Sequence, residues 1–350
     1  MSALTTEPST SERLSGGHLP RSMSYSLGAT IILLAYLWAL VGDHSYALAA
    51  VLGGLLYIVA IYVISRIVEG RRHAADRLWQ ALIYSAFIIA IAPLLAILGT
   101  VVVRGIKVLS VEFLTTSMRN VSPRDPGGGV YHALIGTIEQ VLLAAAVGVP
   151  IGIMVAIYLV EYARTGRLRT SITFFVDVMT GIPSIVAGLF IYTWFVLTLG
   201  FERSGFAGSL ALAILLIPVV VRTTEEMLRI VPNELREASF ALGVPKWRTI
   251  VKIVLPTALT GIITGVMLAV ARVAGETAPL LLTTFLSQSI NSNPFADPQA
   301  SIPTFVWDQI ASGTNASLDR AWAGALVLIL FVVILNVAAR LIARFSRVSA

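Results

Sequence analysis

The sequence has no cysteine and few charged residues. The absence of cysteine excludes disulfide bonds and thiolate metal sites. Asp, Glu, Lys and Arg make up 13% of the 350 residues, whereas soluble domains carry roughly a quarter. Hydrophobic residues make up 57%, and the mean hydropathy is +0.85. This combination predicts a membrane protein rather than a soluble domain.

Lysine and histidine are also scarce, which limits the chemistry that the chain can perform. The three lysines, Lys107, Lys246 and Lys252, do not follow a glycine, so the phosphate-binding loop of ATPases is absent. The four histidines do not cluster, so no metal site or nucleophile–base pair is indicated. We therefore expect no catalytic residue, metal ion or cofactor on this chain. The net charge of +6 does not indicate nucleic acid, because the basic residues lie in loops between apolar segments.

Long apolar segments predict an all-α, polytopic membrane protein with about eight transmembrane helices. Crossing the hydrocarbon core requires about 20 apolar residues. With a cytoplasmic N-terminus, eighteen basic residues fall in cytoplasmic segments and six in outer ones, which favours both termini in the cytoplasm. Residues 1–24 are rich in Ser, Thr, Glu and Pro, and we expect a disordered cytoplasmic tail. The predicted spans are 26–42, 46–65, 79–103, 132–160, 171–199, 207–222, 250–281 and 321–343.

Small residues and helix breakers predict how these spans pack. Two spans carry ridges of small residues that permit close backbone approach, so we expect both at the centre of the bundle or at a partner subunit. The sequence GIPS at 181–184 is either a kink or a break that lines a pathway. The long outer segments 104–131 and 284–320 are either ordinary loops or a docking surface. The ridges are Gly148, Gly152 and Ala156, and Gly261, Gly265 and Ala269.

A polar segment, 234–256, separates two apolar spans and predicts a helix–turn–helix outside the membrane. Gly243 supplies the left-handed residue that ends a helix, and Pro245 can open the next one. Asn233 is the predicted cap at the start of the first helix. An amphipathic stripe is formed by Leu235, Ala238, Ser239 and Leu242.

Two charged residues lie inside a predicted span. Arg272 and Glu276 are four residues apart, which places them on one face of a helix. A charged residue inside the membrane is costly and indicates function by default, whereas the alternative is an ion pair that only fixes helix register. Arg222, Glu225 and Glu226 end another span and are expected to form a solvated cytoplasmic edge.

The polar segment resembles the EAA loop of ABC importer permeases, which runs E-A-A, three residues, G, nine residues, I-x-L-P. Every fixed position matches except the second Ala, which is Ser239 here. In that family the loop is a coupling helix that seats on a cytoplasmic ATPase. The resemblance therefore implies an ATPase-coupling role for Glu237, Ala238, Ser239, Gly243, Ile253, Leu255 and Pro256.

Other stretches are similar to phosphate-specific importer permeases, in particular to the A-type subunit (PstA). They are PIGI at 150–153, GIPSIVAGLF at 181–190 and, most specifically, RVAGETAPLL at 272–281. The resemblance implies a type I ABC importer permease fold over 79–350, with a cytoplasmic coupling loop at 223–256. The transmembrane hairpin at 25–78 is additional to the six spans of that family.

The same resemblance implies the function and the partners. We expect a permease subunit that moves inorganic phosphate across the cytoplasmic membrane of a prokaryote. Its expected partners are a C-type permease subunit, a homodimeric ATPase that binds ATP, an extracytoplasmic phosphate-binding protein and membrane lipid. Three alternatives stay open, namely a permease for sulfate or molybdate, a proton-coupled secondary carrier and an intramembrane enzyme.

Arg272 has the chemistry of a phosphate ligand, because a guanidinium presents paired donors to two phosphate oxygens. Glu276 has two interpretations. It could accept the proton that phosphate carries near neutral pH and sulfate lacks. Alternatively, it is the resting partner of Arg272, displaced when substrate passes.

Overall fold

The computed structural model describes residues 19–42, 45–163 and 165–348, which are helical with connecting turns and contain no strand. The chain divides into two compact units, Met1–Leu98 and Gly99–Ala350. Residues 1–18 of the predicted tail (1–24) lie outside the described residues. The first helix begins at Arg21, so the last residues of the predicted tail are helical. The all-α fold class is confirmed.

The N-terminal unit contains helices α1 (Arg21–Val41) and α2 (Tyr46–Val68) and most of α3 (Arg71–Val108). α1 and α2 pack against each other, and a Cβ on Gly53 would come within 3.1 Å of the Ala35 methyl group. Small residues thus let these two helices approach closely.

A polar cluster at the end of α2 joins three segments of the N-terminal unit. Glu69 accepts hydrogen bonds from Ser65 Oγ at 2.6 Å, Arg77 Nη2 at 2.7 Å and the backbone N–H of Leu19 at 2.8 Å. Arg77 also donates to the Ser24 hydroxyl at 2.8 Å. The hydrogen bonds from Arg77 lower the pKa of Glu69 to about 2.

The second unit holds eleven further helices within its described part. Short π-helical segments continue two of these helices: Tyr158–Tyr162 follows α5, and Tyr192–Thr198 follows α7. A third π-helical segment, Ile250–Val254, lies directly before α11. The helices are α4 (Val111–Thr115), α5 (Tyr131–Ile157), α6 (Arg167–Gly181), α7 (Ser184–Ile191), α8 (Gly205–Ile230), α9 (Asn233–Ala241), α10 (Lys246–Thr249), α11 (Leu255–Ala274), α12 (Ala278–Thr283), α13 (Ile302–Ser312) and α14 (Asn315–Val348).

Helix α8 is the centre of this unit, with α5 and α11 packed against it. A Cβ on Gly152 of α5 would come within 2.7 Å of Val220, and one on Gly265 of α11 within 2.7 Å of Thr223. Both predicted glycine ridges therefore contact the same helix. The predicted close approach of the backbone at both ridges is confirmed.

Among the described residues, seven helices are long and apolar enough to cross a membrane, and the α6–α7 pair, bent by 107°, makes up to eight. This agrees with the eight predicted spans, although several boundaries differ. The predicted span 171–199 bends sharply at Ile182–Pro183, the span 250–281 ends at Ala274, and the span 207–222 continues to Ile230. Each of the first two breaks falls at a glycine or proline, where a helix is easily interrupted.

The two long segments predicted as outer are ordered and packed. The helix α13 and residues around Phe113 and Met118 form one apolar cluster. The guanidinium of Arg320, which is buried, donates to the carbonyls of Asp125 at 2.7 Å and Pro123 at 3.0 Å and to Gln309 Oε1 at 2.8 Å. One arginine thus holds the Pro- and Gly-rich part of 104–131 in place.

Candidate functional site

The segment 233–256 forms two short helices joined by a glycine turn. Gly243 has φ +76°, its N–H donates to the Phe240 carbonyl at 2.9 Å, and the Val244 N–H donates to the Ser239 carbonyl at 3.2 Å. These two bonds form a Schellman motif, so the predicted glycine ending is confirmed. Pro245 directly precedes α10, also as predicted.

The predicted cap at Asn233 is wrong. α9 begins at Asn233 itself, after Pro232, and its side chain makes no capping bond. The Asn233 Oδ1 atom instead accepts a hydrogen bond from Arg236 Nη1 at 3.3 Å. Pro232 occupies the N-cap position instead, with an extended backbone and no side-chain capping bond.

Arg236 anchors α9 to the membrane helices, and the sequence pattern gave no sign of it. Its Nη2 atom lies 2.8 Å from Oε1 of Glu161, at the end of the α5 extension, and both side chains are about nine-tenths buried. Arg236 also donates to the carbonyls of Leu228 at 2.9 Å and Val231 at 2.7 Å. It thereby ties the end of α8, the end of the α5 extension and the start of α9 together.

Ser239, the one departure from the EAA pattern, is buried and has a partner. Its hydroxyl lies 2.8 Å from the hydroxyl of Thr249 in α10. This hydrogen bond joins the two short helices across the glycine turn. A serine therefore replaces an alanine here without leaving a buried polar group unsatisfied.

The apolar stripe of α9 faces away from the chain. Only Ser239 of the predicted stripe is buried, whereas Leu235 is 41% exposed and Leu242 is 83% exposed. Phe240 and Trp247 add to the same exposed surface. The remaining EAA-like positions vary in exposure: Glu237, Ala238, Gly243 and Pro256 are exposed, and Ile253 and Leu255 are half-buried at the start of α11. Such an apolar patch outside the spans is typical of a protein-binding surface.

The membrane charges are arranged differently from the prediction. α11 ends at Ala274, and the N–H of Glu276 donates to the Val273 carbonyl at 3.1 Å within a turn after the helix. Arg272 is exposed on α11 and Glu276 is half-buried. Glu276 is therefore not on the helix that carries Arg272, and the prediction of one helix face is wrong. Within the part of the chain that the structure describes, no ion pair joins the two residues. Gly275 ends the helix one residue before Glu276 could continue it.

The two broken spans lie next to each other. A Cβ on Gly188 in α7 would come within 2.5 Å of the Pro279 Cα atom in α12. The short helices that follow the two breaks, α7 after α6 and α12 after α11, therefore contact each other. Backbone groups freed at such breaks in a membrane protein face protein or water rather than lipid.

Arg222 and Glu225 belong to a charge network rather than to a solvated edge. Arg222 Nη1 lies 2.8 Å from Glu225 Oε2, and Arg222 also pairs with Asp177 of α6. Glu225 is 4% exposed and pairs with Arg229 as well. The prediction of a solvated edge is wrong for Glu225, because α8 continues two turns beyond its predicted end.

Comparison with known proteins assigns the family. The model of the family "Binding-protein-dependent transport system inner membrane component" matches residues 148–348, more than half of the chain. The chain belongs to this family. As an inner membrane component of a transport system, it is a multi-pass membrane protein that works with partners such as another permease and an ATPase.

Among the permeases similar to the chain are two curated bacterial proteins. The "Phosphate transport system permease protein PstA 1" of Mycobacterium tuberculosis is 47% identical over 281 residues, which is 80% of this chain and 92% of that protein. The "Phosphate transport system permease protein PstA" of Haemophilus influenzae is 42% identical over 77% of this chain and 94% of that protein.

Solved structures share the permease fold. A chain of a bacterial alginate ABC transporter, crystallised with an alginate-bound periplasmic protein, has a TM-score of 0.57 at 14% identity over 77% of this chain and 95% of that chain. A chain of the methionine transporter MetNI has a TM-score of 0.50 at 19% identity over 68% and 99%. At these identities the likeness concerns the type I ABC importer permease fold alone.

Proposed function

We propose that the chain is the permease subunit of an ABC importer that moves inorganic phosphate across the cytoplasmic membrane. The observation that carries this is the identity of 41–47% with proteins named as phosphate transport permeases. The chain is not an enzyme, and ATP hydrolysis belongs to a separate subunit. Residues 79–350 form the importer domain, and 25–78 form an additional hairpin.

The exposed apolar surface around α9 is the docking site for the ATPase. Leu242 at 83% exposure and Trp247 at 57% have no cover within the described chain. The anchoring of Arg236 to Glu161 and to the carbonyls of α8 would pass a movement of α9 to two membrane helices. A homodimeric ATPase that binds ATP is the proposed partner on this surface.

Arg272 is the proposed contact for phosphate. It is exposed on this chain although it lies on a membrane span, and such a charge must face protein or water rather than lipid. A C-type permease subunit would cover this face and complete the pathway. Since no ion pair joins Arg272 and Glu276 in the described chain, we favour the account in which Glu276 accepts the proton of phosphate.

The proposed orientation places both termini in the cytoplasm of a prokaryotic cell. The ordered segments around Arg320 then lie outside, where an extracytoplasmic phosphate-binding protein would dock. Membrane lipid covers the remaining apolar surface.

Reconstitution tests the proposed function. The chain is purified together with a C-type permease subunit, an ATPase and a phosphate-binding protein from the same organism, and the complex is placed in liposomes that contain ATP. We expect ATP-dependent uptake of radiolabelled phosphate that excess sulfate does not reduce. Uptake of sulfate in preference to phosphate would favour the other oxyanions. Phosphate uptake driven by a proton gradient without ATP would indicate a secondary carrier.

A further inference from the structure

A half-buried arginine lies between α7 and α8, on the outer side of the membrane in the proposed orientation. Arg203 stands two residues before the start of α8. Its guanidinium carbon lies 4.8 Å from the ring centre of Tyr192 and 5.2 Å from that of Phe285, and its Nη2 atom donates to the Tyr192 hydroxyl at 2.9 Å. Two aromatic rings from different parts of the chain thus hold one cation in place.

The guanidinium of Arg203 keeps most of its hydrogen-bond donors free. Arginine carries several N–H donors in a planar fork, and the Tyr192 hydroxyl is the only acceptor that Arg203 meets within the described residues. Its neighbour Glu202 is exposed and forms no ion pair with it in that part of the chain. Arg320, on the same side, donates instead to three backbone carbonyls and to Gln309. Arg320 therefore has a structural role, whereas Arg203 presents unused donors to a ligand.

The backbone around this arginine is fixed by its neighbours. The N–H of Ser204 donates to the Thr283 carbonyl, at the end of α12, at 3.2 Å. Phe285 follows two residues later with φ +55°, a left-handed conformation that is rare for a bulky residue. Such strained positions persist where the surrounding structure requires them, and they cluster at ligand sites. Here the strained residue carries one of the two rings that hold Arg203.

Arg203 and Arg272 lie at opposite ends of a pair of short helices. α7 contacts Pro279 at the start of α12, and further along both elements Tyr192 and Phe285 meet at Arg203. The two helices therefore run in the same direction, from the breaks outward. Arg272 lies in the last turn of α11, before its break. α12 has six residues, and its length of about 9 Å separates the break from the ring that holds Arg203.

We propose that Arg203 is an outer phosphate contact, which receives the anion before Arg272. The inference rests on the proposed function and adds a second contact on the entry side. A guanidinium with free paired donors matches two phosphate oxygens. An ion must bind well enough to enter a pathway and weakly enough to leave, and a half-exposed arginine in contact with water binds less tightly than a buried one. The phosphate group of a lipid headgroup has the same chemistry, so the test separates these two sources.

The cysteine-free chain allows the charge at this position to be set chemically. Arg203→Cys is made, and Lys107→Cys is the matched control because Lys107 is an exposed basic residue on the same side. Each complete complex, with any cysteines of the partner subunits replaced, is reconstituted in liposomes. It is treated with aminoethyl thiosulfonate, which adds a positive charge, or with sulfonatoethyl thiosulfonate, which adds a negative charge on a side chain of similar length.

Uptake is measured against the concentration of phosphate-loaded binding protein. We expect Arg203→Cys to lower the maximal uptake about tenfold at an unchanged half-saturating concentration, since a charge-assisted contact with the anion is lost. The positive adduct should raise uptake again about threefold and the negative adduct should not, because only the first attracts an anion. Lys107→Cys should transport normally with either adduct.

Three results would overturn the proposal. Equal recovery with both adducts would show that the side chain of Arg203 only fills space. A higher half-saturating concentration with unchanged maximal uptake would make Arg203 a docking contact for the binding protein. A thermal midpoint that falls in liposomes, but not in a maltoside detergent without phosphate, and that accounts for the lost uptake would assign Arg203 to a lipid headgroup.

Arg203→Lys is the second variant, and it serves if Arg203→Cys does not assemble. It keeps the charge but lacks the paired donors, so the maximal uptake should fall about threefold at an unchanged thermal midpoint. Uptake equal to that of the unmodified complex would show that the paired donors are not used, which would also overturn the proposal.

Uptake by the unmodified complex is measured first. If this complex moves no phosphate, the proposed function fails, and the outer contact fails with it. If it moves phosphate whatever the charge at position 203, only the outer contact fails.

Discussion

Arg272 shows how a single residue can be found from sequence while its surroundings cannot. An arginine within an apolar span is recognisable from composition alone, and its exposure on α11 agrees with a role towards a partner or substrate. The relation to Glu276 was not predictable from spacing. Two residues four positions apart share a helix face only if the helix extends over both of them. Here α11 ends before Glu276, with Gly275 as its C-cap.

The first prediction is that Arg272→Gln abolishes phosphate uptake while the complex still assembles. Assembly should survive, because the structure gives Arg272 no carboxylate partner within the described chain that would be left unpaired. Each hydrogen bond from a charged donor contributes about 1.5–3 kcal/mol, so loss of the contact should lower uptake at least about tenfold. Arg272→Lys should restore little, because an ammonium cannot make the paired contact.

The measurement is ATP-dependent uptake by the reconstituted complex, with Arg340→Gln as the control. Arg340 is an exposed arginine of α14, far along the chain from the pathway residues. Uptake near the unmodified level in Arg272→Gln would exclude Arg272 from the phosphate route.

At the scale of elements, the turn of the segment 233–256 was predictable and its attachment was not. Gly243 and Pro245 have local backbone roles, which sequence reports directly. Arg236 acts through Glu161, 75 residues earlier, and through the carbonyls of Leu228 in α8 and Val231 just after it. No local pattern specifies such distant partners. The direction of the apolar stripe was also undetermined, since periodicity identifies a face but not what covers it.

The second prediction concerns the backbone of Gly243. Gly243→Val should abolish uptake, because a β-branched residue is strongly disfavoured at φ +76°. Gly243→Asn is the matched control and should retain most uptake, because asparagine tolerates the left-handed region. Nothing lies within 4 Å of an added Cβ, so crowding within the chain does not explain a difference.

Uptake and ATPase activity are measured together for these two variants. We expect Gly243→Val to hydrolyse ATP without moving phosphate. Equal transport by the two variants would show that the left-handed turn is not required for coupling.

The third prediction concerns the anchor of α9. Arg236→Gln leaves Glu161 buried without a partner, and breaking such a pair costs about 3–5 kcal/mol. The double variant with Glu161→Gln should recover part of this loss, because no charge is then left unpaired. Recovery should be incomplete, since the bonds from Arg236 to Leu228 and Val231 are also lost.

Thermal unfolding of the purified complex measures this double-mutant cycle. A double variant that is destabilised by the sum of the two single effects would show that the pair is not coupled. Phosphate transported per ATP should fall in Arg236→Gln even at temperatures where the complex remains folded.

The fourth prediction concerns the polar cluster of the N-terminal unit. The pKa of Glu69 is lowered to about 2 in the folded chain by Arg77, whereas an unperturbed glutamate titrates near 4.5. Its stabilising effect is therefore complete above about pH 4.5 and is lost as the pH falls towards 2. Glu69→Gln should lower the thermal midpoint at pH 7 and pH 5 by similar amounts, and the difference should shrink below pH 4.5. A difference that grows on acidification would contradict this.

At the scale of the whole molecule, composition predicted the class and the number of spans, because lipid requires long apolar helices. The central position of α8 was only partly predictable. The glycine ridges of α5 and α11 marked two close contacts, but they did not reveal that both use the same helix. Which helices share a contact depends on the folded arrangement, which no ridge encodes by itself.

The last prediction concerns the orientation of the chain in the membrane. Eighteen basic residues on one side against six on the other favour cytoplasmic termini and a cytoplasmic segment 233–256. In the cysteine-free chain, Ser122→Cys and Ser292→Cys are exposed outer probes, and Thr165→Cys is an exposed inner probe. Thr165 is preferable to its neighbour Gly166, whose φ of 122° disfavours a side chain. An impermeant thiol reagent added to intact cells should label the two outer probes and spare Thr165→Cys until the cells are opened. The reverse pattern would place the exposed surface of α9 outside the cell, where no ATPase could reach it.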